Sequence, residues 1–151
     1  MRAKWIVLFF VLPVFAADPP GFALWSAAEL KGIDKKLSEK VDGQKFASQQ
    51  FEKYGDHYTM LAHREGDGAA ELHETEADIF VVESGTATLV VGGEMVGGKT
   101  TAPNEVRGTS IKGGVEHKLA AGDIVHIPVK TPHQVKLGGG KAFSYFVIKV
   151  Q

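Results

Sequence analysis

ELHETEADIFVVESG, from Glu71 to Gly85, is the stretch on which the reading of this chain turns. Glu71, Glu74, Glu76 and Asp78 crowd around His73, and Ile79 to Val82 then form the apolar run that a buried strand requires. Taken as a strand, the first part alternates: Glu71, His73 and Thr75 point to one face, and Leu72, Glu74 and Glu76 to the other. A turn separates it from the run that Asp78 opens. An acid and an imidazole two positions apart on an inward face can both reach one ion. The stretch is therefore either a solvated turn or half of a site.

The surroundings favour an all-β domain. FASQQFEKY, HYTMLAHRE, ADIFVVES, TATLVVGG, HKLAAG, DIVHIPV, HQVKLG and AFSYFVIKV are short, rich in Val, Ile, Phe and Tyr, and separated by turns, most of them bearing glycine. Strands at this spacing predict a sandwich or barrel. Gly92-Gly93 and Gly138 to Gly140 read as hairpin turns. Glu94 to Gly114, with five glycines and one proline, reads as a long excursion between strands and as a lid or entrance wall. Ahead of the strands, SAAELKGIDKKLSEK predicts a surface helix, capped by Ser26 with Glu29 completing a capping box and with Leu30, Ile33 and Leu37 on one stripe. The last strand is apolar on both faces, Phe143, Tyr145 and Val147 against Phe146, Ile148 and Val150, so its outer face needs cover from the helix or from a second copy.

The chain has 151 residues, the size of one domain with a real core, and no cysteine, which removes disulfides and thiolate chemistry together. Its formal net charge of −1 and the lack of a basic cluster argue against nucleic acid. MRAK followed by WIVLFFVLPVF and AAD predicts a signal peptide over residues 1–17, cleaved near Ala16 or Ala17, hence a periplasmic or secreted protein with no membrane attachment after cleavage; an uncleaved membrane anchor is the alternative. Residues 18–45 are then an N-terminal extension with the helix, and 46–151 the β domain.

A second imidazole far along the chain can join the first. In GDIVHIPVKTPHQV, Gly122-Asp123 forms a turn, Ile124 to Pro128 a strand, Lys130 to Pro132 a turn, and His133 opens the next strand. The two segments resemble the paired motifs of the cupin family, G-x5-H-x-H-x(3,4)-E-x6-G and G-x5-P-x-G-x2-H-x3-N. His73 matches the second histidine and Asp78 the glutamate, with six residues between it and Gly85; Gly122, Pro128 and His133 keep the offsets of the second motif. Glu71 replaces the first histidine, Asp78 is a shorter acid, Gly66 lies one residue too near, Lys130 replaces the turn glycine, and Leu137 the final asparagine.

The resemblance covers about Leu61 to Val150 and implies a cupin double-stranded β-helix, a conical antiparallel β-barrel with one N-terminal helix. It also implies one divalent metal held by Glu71, His73, Asp78 and His133. Two imidazoles and two carboxylates suit Mn, Fe or Zn, with Ni and Cu within range. A metal-free barrel, in which Glu71 bonds His73 or lies on the rim, is the alternative. His63 and His126 are the candidate proton carriers, each weighed against a structural role. Lys130, Arg64 and Arg107 are weighed as contacts for an anion against ordinary exposure, and Glu74, Glu76 and Glu83 read as a solvated face. The expected function is an exported metalloenzyme of oxygenase, isomerase or lyase type acting on a small polar or carboxylate-bearing molecule. The alternative is a non-catalytic barrel that binds a small molecule or a metal. Cupins are commonly dimers, which makes the last strand the expected contact between copies.

Overall fold

The computed structural model describes residues 17–151, so the expected signal peptide lies outside the described residues except for Ala17. One helix, α1 (Ala27–Ser38), precedes the strands β1 (Phe46–Tyr54), β2 (His57–Arg64), β3 (Ala70–His73), β4 (Ala77–Val91), β5 (Glu94–Val96) and β6 (Lys99–Ala102). These are followed by β7 (Glu105–Gly108), β8 (Ser110–Lys112), β9 (Val115–Ala120), β10 (Ile124–Ile127), β11 (His133–Lys136) and β12 (Phe143–Val150). Every strand pair is antiparallel. Among the described residues, no helix is long and apolar enough to cross a membrane.

The strand β4 organises the barrel. Its first half lies between β12 and β10, and its second half between β9 and β11. One layer is thus β1-β2-β12-β4-β10, and the facing layer is β9-β4-β11-β3-β7-β6. The sequence splits β4 at Ser84-Gly85; the chain instead runs through and bends there. Gly85 has φ +78, and a Cβ on it would lie 2.1 Å from the Ala142 carbonyl oxygen. Only glycine lets the strand change layers at that point.

Two turns expected as hairpins serve another purpose. Gly92 and Gly93 do adopt positive φ, but β4 and β5 do not pair: β5 joins β8 in a separate two-stranded sheet. Gly138 and Gly139 likewise carry the chain from β11 in one layer to β12 in the other. A double-stranded β-helix pairs strands that are distant in sequence, so turn chemistry marks the corners correctly while the partners lie elsewhere.

Phe80, Val82, Leu89, Val135, Phe143, Tyr145 and Val147 fill the space between the layers. A second cluster lies outside. Leu30 and Leu37 of α1 bury against Leu61 of β2 and Phe146 of β12, with Ile33 and Ile148 beside them. Trp25, Phe51 and Phe146 extend the contact, with ring centroids 5.2 to 5.9 Å apart. Each such buried side chain contributes about 1.5–3 kcal/mol. The apolar outer face of β12 is therefore covered by the chain's own helix. At the helix start, the Ser26 hydroxyl accepts from the Glu29 N–H, and the Glu29 carboxylate accepts from the Ser26 N–H at 2.9 Å, the capping box read from the sequence.

Candidate metal centre

Four strands deliver the site. Glu71 and His73 stand on β3, His133 pairs in register with Glu71 from β11, and Asp78 of β4 pairs in register with Lys149 of β12. One ligand atom each from Glu71, His73 and His133 lies within 4.8 Å of the others. Asp78, with a side chain only 2% exposed, places Oδ2 3.4 Å from Nε2 of both histidines. Lys149 places Nζ 2.7 Å from Asp78 Oδ1 and 2.7 Å from His73 Nε2. The Asp78 contact is charge pairing, since Oδ1 has no aligned hydrogen-bond donor.

The charges around these groups fix their states. Burial would raise the Asp78 carboxyl, but contacts with His133 and His73 and the Lys149 charge outweigh it and hold the group far below the usual carboxylate range. Burial pushes Glu71 the same way, and the Arg107, His133, Arg64 and Lys149 charges again prevail and lower it. Arg107 Nη1 lies 2.8 Å from Glu71 Oε1 and its guanidinium also pairs with Glu105. Arg64 reaches Glu71 at 3.4 Å, donates to the Tyr145 hydroxyl at 3.1 Å, and lies over the Phe46 ring. Burial raises the buried Tyr145 phenol and pushes Tyr58 up to about 12, helped there by Glu76, Asp78 and Glu105.

The donors suit a transition metal. His133 Nδ1 lies 3.0 Å from the Thr131 carbonyl, and a bond there leaves the lone pair of the neutral ring on Nε2. That atom is buried without a hydrogen-bond partner and faces Asp78 Oδ2. A lone pair facing a carboxylate is favourable only with a proton or a metal cation between them. Two imidazoles and a carboxylate form the triad that holds first-row metals while leaving coordination positions open. Next to them is a cavity of about 300 Å³, whose walls include Tyr58, Arg64, Glu76, Glu105, Arg107 and Lys149.

Neither histidine proposed as a proton carrier faces this cavity. On β2, Tyr58, Met60, Ala62 and Arg64 point inward, so the alternation turns His63 outward, where its Nδ1 meets Asp34 Oδ1 of α1 at 2.7 Å. On β10 the inward positions are Val125 and Ile127, which leaves His126 exposed on the opposite face. Of the four proposed ligands, Glu71, His73 and His133 come together, while Asp78 lies beside both rings with Lys149 as its partner.

The stretch from Glu94 to Gly114 supplies a wall. It folds into the β6–β7 hairpin flanked by the β5–β8 pair, and β7 joins the barrel through β3. That pairing brings Arg107 and Glu105 to the site. Glu76 lines the cavity instead of forming a solvated face. Lys149 escaped the sequence reading, though one signal was present: in FSYFVIKV it continues the inward parity of Phe143, Tyr145 and Val147, where a charge must have a partner.

No family model matches the chain, and no curated protein matches it. Solved structures do. It superposes with TM-score 0.54 on an uncharacterised double-stranded β-helix protein from Klebsiella pneumoniae, 19% identical, over 76% of this chain and 85% of that one. A protein from Thermus thermophilus gives TM-score 0.54 at 18% identity, over 77% and 91% of the two chains. A cupin 2 conserved barrel protein from Rhodopseudomonas palustris gives 0.52 at 17% identity, over 71% and 61%. The chain therefore has the cupin fold, a double-stranded β-helix. Within that fold it carries a His/Glu group able to hold a metal.

Proposed function

We propose that this chain is an exported, metal-binding cupin-fold enzyme acting on a small carboxylate-bearing molecule, with Glu71, His73 and His133 as metal ligands and Asp78 beside them. The observation that carries the reading is the convergence of those three donors, from strands far apart in sequence, beside a cavity of about 300 Å³. That volume suits a small metabolite. Export rests on the MRAK–WIVLFFVLPVF leader pattern.

The protein's own groups divide the work. Arg107, with a side chain 40% exposed, and Arg64 hold the Glu71 carboxylate in place and give one wall positive charge for an anionic group. Glu105 keeps the Arg107 guanidinium oriented. With His63 and His126 facing away, the carboxylates Glu76 and Glu105 of the wall remain to move a proton, while Tyr58, pushed up to about 12, stays protonated. A bound Mn, Fe or Zn ion would supply Lewis-acid or redox chemistry of the oxygenase, isomerase or lyase kind.

The second reading, a non-catalytic barrel that captures a small molecule or a metal, gains from one observation. Glu71, Asp78 and Glu105 already balance Arg64, Arg107 and Lys149 in charge, an arrangement suited to holding as well as to turnover. Metal analysis of protein purified without added ions should find about one equivalent of a transition metal. His73→Ala and His133→Ala should each lose it. A protein that stays empty after reconstitution with Mn, Fe and Zn salts defeats the enzyme and the metal-holding barrel, and leaves only capture of a small molecule. Turnover abolished by either substitution favours the enzyme; capture that is merely weakened favours the binding barrel.

A further inference from the structure

The cation nearest these ligands is part of the chain. Lys149 Nζ stands 2.7 Å from both His73 Nε2 and Asp78 Oδ1, on a side chain only 11% exposed. An ammonium has donors and no acceptor, so at this distance His73 must present the Nε2 lone pair to it. That lone pair is the one His73 would offer a metal from this face, because Nε2 is the atom turned toward Asp78 and Glu71. One lone pair cannot serve both. The two cations would also stand within a few ångströms of each other in a buried setting, where like charges repel strongly.

The balance of charge points the same way. Glu71 and Asp78 carry two negative charges, and Arg64, Arg107 and Lys149 supply cationic partners for both. Without the ammonium, the buried Asp78 would keep only the two imidazoles beside it, and breaking such a pair is costly. A divalent ion at the histidines could take over its neutralisation.

We propose that Lys149 occupies the cation position of this cluster in the metal-free protein, so that a divalent ion binds only by displacing the ammonium from His73. The inference rests on the metal reading above and goes further, because it makes Lys149 the residue that sets metal affinity. The displaced chain has somewhere to go. Lys149 already lines the cavity, and its four-carbon stem can carry the charge into it, toward Glu76 and Glu105 or an anionic ligand. Loading the metal would then also place a positive charge where a substrate carboxylate binds.

The test uses the full chain, stripped of metal, with Zn²⁺ as the probe. Zn²⁺ affinity is measured by chelator competition for the wild type, Lys149→Met and Lys149→Gln. Both variants should bind about tenfold tighter or more, since no ammonium remains to repel the ion. On the wild type, acylation of lysines by an activated ester is followed by peptide mass spectrometry. Lys149 should be protected without metal and should react at saturating Zn²⁺, while exposed Lys141 reacts equally in both states. The labelling needs no variant, so it decides the matter even if neither variant folds. Zn²⁺ affinity unchanged by both substitutions, or Lys149 reactivity unmoved by Zn²⁺, overturns displacement and leaves the metal reading standing. Failure of the wild type and of every variant that folds to bind Zn²⁺ overturns both.

Discussion

His63 Nδ1 lies 2.7 Å from Asp34 Oδ1, and this contact ties α1 to the outer face of β2. The histidine is a fastener between elements. His63→Ala should cost about 1–3 kcal/mol, the loss of a largely buried hydrogen bond to a charged group. Urea denaturation measures this, and bound metal per chain should match the wild type. A stable variant with altered metal content would return His63 to the cavity chemistry.

Gly85→Ala should be far more damaging than its single methyl suggests. The new Cβ would stand 2.1 Å from the Ala142 carbonyl oxygen, on a residue whose φ is +78. Strain of that kind costs about 1–3 kcal/mol before the clash is counted, and the clash is with backbone that cannot step aside. Chemical denaturation should show a loss of about 3 kcal/mol or more. A loss under about 1 kcal/mol would mean that β4 changes layers some other way.

Much of this was legible in the sequence because local rules acted alone. Ser26 and Glu29 cap α1, and the alternation of Glu71 and His73 puts both on the inward face. His133 could be paired with them only through the spacing shared with a known family, since it lies sixty positions beyond His73. Whatever depended on a partner strand was hidden. The parity of β2 allowed His63 either face, and only packing of α1 on Leu61 settled which. Lys149 drew no notice within an apolar strand, and only its pairing with Asp78 placed an acid opposite. Arg107 came to the site through the β3–β7 pairing, which no local pattern announced.

The helix cap should make attachment of α1 sensitive to acid. Hydrogen bonds from the Ser26 side chain and backbone hold the exposed Glu29 carboxyl below its ordinary value. A carboxylate whose folded value is depressed contributes fully above the unfolded value, about 4.3, and that contribution is lost as pH falls through the folded value. Amide exchange in residues 27–38 should therefore lose protection relative to the barrel strands between pH 6 and pH 3. Glu29→Gln keeps acceptor and shape but cannot titrate, so its α1 should lose less protection over that range. Parallel behaviour of the two proteins would mean that other groups govern the helix.

Lys130→Gly is expected to stabilise the protein. Lys130 sits at φ 58, in the left-handed region where a side chain costs about 1–2 kcal/mol, and its N–H donates to the His73 carbonyl at 2.7 Å. The backbone bond survives any substitution that tolerates this φ, so glycine keeps the turn and sheds the strain. Glycine's greater freedom in the unfolded chain, about 0.5–1 kcal/mol, offsets part of the gain. The net should be a rise of up to about 1 kcal/mol in denaturation free energy, with metal content unchanged. The exposed ammonium is weighed by the same variant. If Lys130 helps an anionic ligand reach the barrel, Lys130→Gly becomes more stable while binding that ligand more weakly. If stability falls instead, the lysine side chain makes a contact worth more than the strain it carries, and the turn is built around it.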